Sequence, residues 1–299
     1  MAQAAAVKEQ GAQIAPPARS RLSWSWLGLV PFFLFCTAFL FLPVAFLVVG
    51  SVNDIAGNVT LKNYADLSTG IIPGAFANSI EISAVTAIAG GVFGFLLAAS
   101  VILGGLPRVL RAALMTFSGV ASNFAGVPLA LAFIFTLGTL GFLTTLLQGI
   151  GFTSFRGPNL TSKLGVEIVY MYFQFPLMVL IIAPALEGLR REWREAAENM
   201  GASAFQYWRH VALPILAPSI LGTMILLFGN AFGAQATAFQ LTGGTLPLVT
   251  LVISSQIRGD VLHNPGLGYA MAMGMVGIMG ISILLYTLLQ RRAERWLRS

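Results

Sequence analysis

The sequence predicts an all-α integral membrane protein with six transmembrane helices. Three observations carry that fold class. Of the 299 residues, 57% are hydrophobic and only 9% are charged, with a mean hydropathy of +0.81. A soluble chain carries roughly 25% charged residues, so most of this surface is built to face something other than water. Six apolar runs have about the 20 residues that cross hydrocarbon. The 17 Lys and Arg lie in the segments between those runs, unequally distributed on alternate sides.

Residues 1–23 are rich in Ala, Gln, Pro and Arg without a hydrophobic period, and are expected to be a cytoplasmic tail. The first span is placed at 24–50; it is too long for a signal-peptide core and no convincing cleavage site follows it. Residues 51–77 form an outer loop. Further spans are placed at 78–104, 108–136, 165–187, 215–238 and 267–289, and residues 291–299 form a cytoplasmic tail. With the N-terminus inside and six crossings, Lys8, Arg19, Arg21, Arg108, Arg111, Arg190, Arg191, Arg194, Arg209 and the four C-terminal arginines fall on the cytoplasmic side. Lys62, Arg156, Lys163 and Arg258 fall outside. This split of 13 to 4 puts both termini in the cytoplasm. Trp24, Trp26 and Trp296 then lie at the inner interface, where amphipathic rings belong. Residues 137–152 are apolar but short for a span. An extra crossing there would expel Arg190, Arg191, Arg194 and Arg209, so the segment is expected to be an interfacial or re-entrant helix at the outer face.

The lone Cys36 excludes a disulfide framework. The net charge of +6 is explained by topology, which leaves no case for nucleic-acid binding.

Within this membrane pattern, residues 187–214 are a charged island. A loop that transmits motion needs a short rigid helix, a fixed corner and a firm anchor. Residues 187–200 are mostly helix formers with an apolar face including Leu189, Trp193, Ala197 and Met200. Gly201 allows a corner that other residues resist. Phe205, Trp208 and Val211 resume a helical spacing, and Pro214 marks the start of the fifth span. The small Ala196 and Ala197 let a partner surface approach, and Glu195 can pair across it. The bland alternative is an amphipathic loop lying on lipid.

The order Glu195-Ala196-Ala197, three residues, Gly201, nine residues, Val211, one residue, Leu213-Pro214 resembles the signature loop of permease subunits of binding-protein-dependent type I ABC importers. The resemblance runs over about residues 24–290 and includes Thr60-Leu61, Asn63-Tyr64 and Asn78-Ser79; Val211 stands where Ile is frequent. It implies a MetI-like permease fold with its core at 78–290, in a bacterial inner membrane. It also implies an ATPase-coupling role for Glu195, Ala196, Ala197, Gly201, Leu213 and Pro214. The implied partners are a second permease subunit, two ATPase subunits that bind ATP-Mg at the cytoplasmic face, and an extracytoplasmic solute-binding protein. No Gly-x-x-x-x-Gly-Lys-[Ser/Thr] phosphate loop occurs in the chain, so ATP hydrolysis is expected of a partner and no cofactor of this chain.

Polar groups inside the apolar runs are candidates for the solute path, because they are costly in lipid. They are Asn78 and Glu81 in the second span, Asn123 in the third, Gln174 in the fourth, and Asn230 and Gln235 in the fifth. For Glu81 the alternative is an interfacial carboxylate paired with lysine or backbone; for the amides it is interhelical hydrogen bonding. Pro128, Pro176 and Pro218 interrupt their spans. Gly90, Gly91 and Gly94 suit close helix packing. The stretch Met271, Met273, Met275 and Met279 suits lipid contact or packing. His210 is expected at the ATPase contact or in water, and Arg258, Asp260 and His263 in the last outer loop. No group has metal-ligand spacing.

A stand-alone ion-coupled secondary transporter would carry ionisable groups at mid-membrane; none stands at the centre of a predicted span. An intramembrane hydrolase would need a nucleophile or metal motif, and none is present. The outer loop and last third look most like the polyamine, phosphonate, iron and thiamine branch of these permeases, with spermidine/putrescine-type solutes favoured.

Overall fold

Prolines, glycines and the few buried polar groups shape the spans. The computed structural model describes residues 28–54, 57–152, 154–258 and 264–298. The chain divides into a unit ending at Phe46 and a second from Leu47 to Ser299. The first unit is represented by most of helix α1 (Val30–Ser51), whose apolar side chains up to Phe46 are all at least partly exposed, as in a span that meets lipid or another subunit.

In the second unit, α2 (Lys62–Asp66) precedes the long α3 (Ile72–Leu103). Next come α4 (Arg108–Asn123), α5 (Gly126–Leu137) and α6 (Phe142–Gly149). Helix α7 (Lys163–Glu187), the short α8 (Arg191–Asn199) and α9 (Ala204–Phe232) follow. Then α10 (Gln235–Thr242), α11 (Val249–Arg258) and α12 (Pro265–Arg298) complete the order. Six helical stretches among the described residues are long and apolar enough to cross a membrane.

Helices α3 and α7 run parallel. Glu81 meets Lys163, Gly90 meets Gln174, and Gly94 meets Met178. The glycines make this approach possible. A Cβ on Gly90 would sit 2.7 Å from the Gln174 Cβ, and one on Gly94 2.6 Å from the Met178 Cβ. Gly91 does the same for α9, where a Cβ would lie 2.8 Å from Met224. Helix α12 closes on α9, with Tyr286 against Gly222 and Met279 against Gly229. Met271 is fully buried, so the methionine stretch contributes packing.

Buried side chains form separate clusters at two levels. At the end of the bundle away from the 187–214 loop, Ile82, Leu129, Val169, Phe173, Ala231 and Leu248 pack together. At the loop end, Ala98, Val179, Ile182, Leu186 and Leu216 do so.

Four features depart from expectation. The third span is two helices. Phe124 (ψ 87°) and Ala125 (ψ −174°) leave the helical region, and Gly126 takes φ +75°. Pro128 therefore sits in the first turn of α5, where a missing amide costs nothing. The run 126–149 is also long enough to span by composition. However, Arg111 ion-pairs with Glu187 at the loop end, and Gly126, at the break itself, donates to Thr237 of α10. The expected third span, 108–136, thus corresponds to α4 followed by α5, and α6 is a separate helix of eight residues. The fifth span ends at Phe232 rather than 238, because Gly233 and Ala234 break the helix; Gln235 opens α10 instead. Helices α10 and α11 occupy what the apolar pattern makes span or loop. Finally, α12 continues through the expected C-terminal tail.

Two π turns have one cause. A proline lacks an amide and clashes with the carbonyl four residues back. Ahead of Pro43 and Pro214 the helix widens, so that Leu42 N donates to Thr37 O and Leu213 N to Trp208 O.

Candidate coupling loop and solute path

The charged island folds as an elbow. Helix α7 stops at Gly188, Arg190 is extended, and α8 begins. Arg191 Nε bonds Glu195 Oε1 at 2.8 Å and Arg194 Nε bonds Glu198 Oε1 at 2.9 Å. These exposed pairs contribute only a few tenths of a kcal/mol each. The end of α8 is fixed more firmly. Gly201 N donates to Glu198 O at 2.9 Å and Ala202 N to Ala197 O at 3.0 Å. Together with φ +80° at Gly201 this is a Schellman closure. Ser203 then opens α9 with a capping box, its hydroxyl accepting from Gln206 N while the Gln206 side chain accepts from Ser203 N.

A small core holds the two arms of the elbow. Ala197, Tyr207 and Ala212 are buried, with Leu189, Ala202, Trp208 and Val211 packed around them. The signature residues thus divide by job. Ala197 and Gly201 build the corner, and Pro214 sets the π turn that anchors it. Ala196 is exposed, as are Trp193 on α8, Met200 (81% exposed) at its C-cap and Phe205 (71%) in the first turn of α9; these side chains are the apolar tip of the elbow. Glu195 faces the other way, into a groove of about 1040 Å³ between α8, the end of α3 and the start of α9. Phe95, Leu103, Arg194, Tyr207 and Trp208 also line it. Leu213 and Pro214 are exposed, and His210 bonds its own turn through Gln206 O.

The polar residues of the spans separate into four groups. Asn78 and Gln174 are tertiary ties, Asn78 to the segment between α10 and α11 and Gln174 to α9. Asn78 Nδ2 donates to Pro247 O at 3.0 Å. Gln174 is fully buried, and its Nε2 donates to Leu227 O at 2.9 Å while its Oε1 has no partner among the described residues. Asn123 caps its own helix, donating to Gly119 O. Asn230 and Gln235 are exposed on α9 and α10. Glu81 is half exposed and accepts from Lys163 Nζ at 2.7 Å. Arg258 is exposed at the end of α11, while Asp260 and His263 lie outside the described residues.

Sequence reasoning overlooks Glu167. It stands one turn beyond Lys163 on the same face of α7, within electrostatic range of both Lys163 and Glu81. Two carboxylates and one ammonium therefore meet at the end of the bundle away from the elbow. The signal was present as the i, i+4 pair Lys163–Glu167. Also overlooked is Thr237, whose hydroxyl accepts from Gly126 N at 2.8 Å and so bridges α10 to the break in the third span.

Comparisons with known proteins agree with this geometry. A permease of the spermidine/putrescine transport system from Haemophilus influenzae is 28% identical over 280 residues, covering 91% of this chain and 94% of that protein. A probable sulfate transport system permease protein of Nephroselmis olivacea is 26% identical over 235 residues, covering 77% and 76%. Among solved structures, a bacterial alginate ABC transporter in complex with its alginate pentasaccharide-bound periplasmic protein contains a chain of the same fold. The TM-score is 0.71 at 16% identity, with 90% and 94% covered. Residues 90–295 match the family model of binding-protein-dependent transport system inner membrane components. The chain belongs to that family: it is a multi-pass permease subunit of a binding-protein-dependent ABC importer, a transport component rather than an enzyme.

Proposed function

We propose that this permease imports a small cationic solute of the polyamine type. In this reading a binding protein delivers the solute at the Glu81 end, and ATPase subunits act on the elbow at the cytoplasmic end. Both termini are then cytoplasmic, a second permease subunit completes the path, and ATP-Mg is held by the ATPase partners.

The observation that carries the solute class is the cluster of Glu81, Glu167 and Lys163, which holds one more negative than positive charge at a protein surface. An incoming ammonium replaces Lys163 there without leaving a carboxylate bare; a dianion meets repulsion. The spermidine/putrescine relative supports the same solute class. Asn230, Gln235 and Asn123, exposed on α9, α10 and α4, supply further polar lining once a second subunit closes the path. Ala196 with the apolar tip supplies the ATPase contact, and Glu195, Ala197, Gly201, Leu213 and Pro214 hold it in place.

A second reading, sulfate, is favoured by the sulfate-permease relatives. Vesicles containing the permease pair, its ATPase and its binding protein decide between them. Labelled spermidine should accumulate with ATP and labelled sulfate should not. The opposite pattern rejects the cationic reading, and uptake driven by an ion gradient without the ATPase rejects the importer mechanism.

A further inference from the structure

The third span and α7 are both interrupted at one level of the bundle. In the third span the interruption is the non-helical Phe124–Ala125 followed by Gly126. In α7 it is Pro176, which cannot donate to the carbonyl of Tyr172 four residues back. Tyr172 is the residue on which the third span rests at its break. Its ring packs edge-on against Phe124 at 6.2 Å and against Phe133 at 5.8 Å. The neighbouring faces are smooth or unsatisfied at the same level. Gly90 and Gly94 give α3 a surface without side chains against Gln174 and Met178, and Gln174 Oε1 is buried with no partner among the described residues. The buried clusters are separate on the two sides, with Val169 and Phe173 in one and Met178, Val179 and Ile182 in the other.

Each half of the third span is tied to a different body. Helix α5 is tied to α10 through Gly126 and Thr237 and joins the far-end cluster through buried Leu129 and Ala130. Helix α4 lies along the inner half of α7, and Arg111 ion-pairs with Glu187. Glu187 is the last residue of α7, directly ahead of the elbow.

We propose that Arg111 and Glu187 are positioning residues for coupling. Their ion pair makes α4 follow the inner half of α7 when the elbow is pushed, and both bend at the Tyr172 level. The far-end halves, α5 with residues 163–173 of α7, stay with α10. An exposed ion pair contributes little to stability, so its value lies in direction: it selects which helix moves with α7. This inference rests on the permease being driven through its elbow, and deepens that reading.

The test uses the whole importer reconstituted in nanodiscs, with Cys36→Ser and spin labels at Val109 and Leu140, which are 82% and 91% exposed on opposite sides of the break. The label distance should differ between nucleotide-free and vanadate-trapped complexes. In Arg111→Glu and in Glu187→Arg that difference should be lost, and solute moved per ATP should fall by roughly fivefold or more. The double exchange Arg111→Glu/Glu187→Arg should restore both. Pro176→Ala, which returns an amide donor to the Tyr172 carbonyl, should leave assembly intact while reducing the distance change. An unchanged distance in the parent complex, a double exchange no better than the single ones, or a Pro176→Ala variant that moves like the parent would each overturn the inference. Loss of ATP-driven uptake by the parent itself would instead strike at the proposed function.

Discussion

Replacing Gly201 tests the elbow with the fewest side effects. A Cβ at this position meets nothing within 4 Å, so no neighbour is displaced. The cost is confined to the backbone, which must hold φ +80°. An ordinary L residue there costs about 1–2 kcal/mol, and a β-branched one reaches the upper end of the roughly 1–3 kcal/mol typical of strained backbone. At 1.4 kcal/mol per factor of ten, Gly201→Val should depopulate the closed elbow by about 30- to 100-fold. Escape from the strain breaks the bonds from Gly201 N to Glu198 O and from Ala202 N to Ala197 O. Helix α8, nine residues long, does not persist without that closure. Gly201→Asn should be far milder, because asparagine tolerates the left-handed region. The assay is uptake and ATP hydrolysis by the reconstituted complex, with membrane content of the permease measured in parallel. The expected result is normal membrane content with solute moved per ATP ordered Gly, Asn, Val. A valine variant that transports as well as the parent would refute the mechanical role of the corner.

Three further outcomes follow from the same geometry. Gly94→Leu places a Cβ 2.6 Å from the Met178 Cβ and 2.9 Å from the Phe175 carbonyl. It should lower the stability of the solubilised permease by about 3 kcal/mol, read as an earlier thermal aggregation. Gln174→Leu removes one interhelical bond together with an unsatisfied buried oxygen, so stability should change by less than about 1 kcal/mol. Gln174→Glu, which buries a charge, should be strongly destabilising; equal effects of the two would show that the bond to Leu227 dominates. Glu81→Gln removes the 2.7 Å partner of Lys163 and cancels the excess negative charge of the far-end cluster, leaving Lys163 facing Glu167. Spermidine uptake should fall several-fold while ATP hydrolysis continues, and unchanged uptake would remove Glu81 from the path.

Much of this molecule is legible without coordinates, for a physical reason. Lipid demands long apolar runs and charge asymmetry, and both are written as composition. The elbow is legible because few sequences place Gly after a short amphipathic helix and Pro ahead of a span. What stays hidden is irregular backbone inside apolar runs. Asn123-Phe124-Ala125-Gly126 continues the hydrophobic pattern, and only Gly126 followed by Pro128 hints at the break between α4 and α5. The early end of α9 at Phe232 is masked in the same way, because Gly233-Ala234-Gln235-Ala236 remains apolar enough to extend the run. Gln174 reads as path lining because it is polar, whereas packing against Gly90 encloses it. Glu167 escapes notice because the search for charges centres on mid-span, and it stands in the first turns of α7.

The central claim is that the elbow lies on the cytoplasmic side and is gripped there by the ATPase. The most direct measurement is a single cysteine at Met200, the most exposed residue of the apolar tip, in a Cys36→Ser background. It should form a short-range cross-link to the ATPase subunit in assembled complexes and resist membrane-impermeant thiol reagents applied from outside the cell. Labelling from outside, or an absence of any cross-link to the ATPase in an actively transporting complex, would contradict the account.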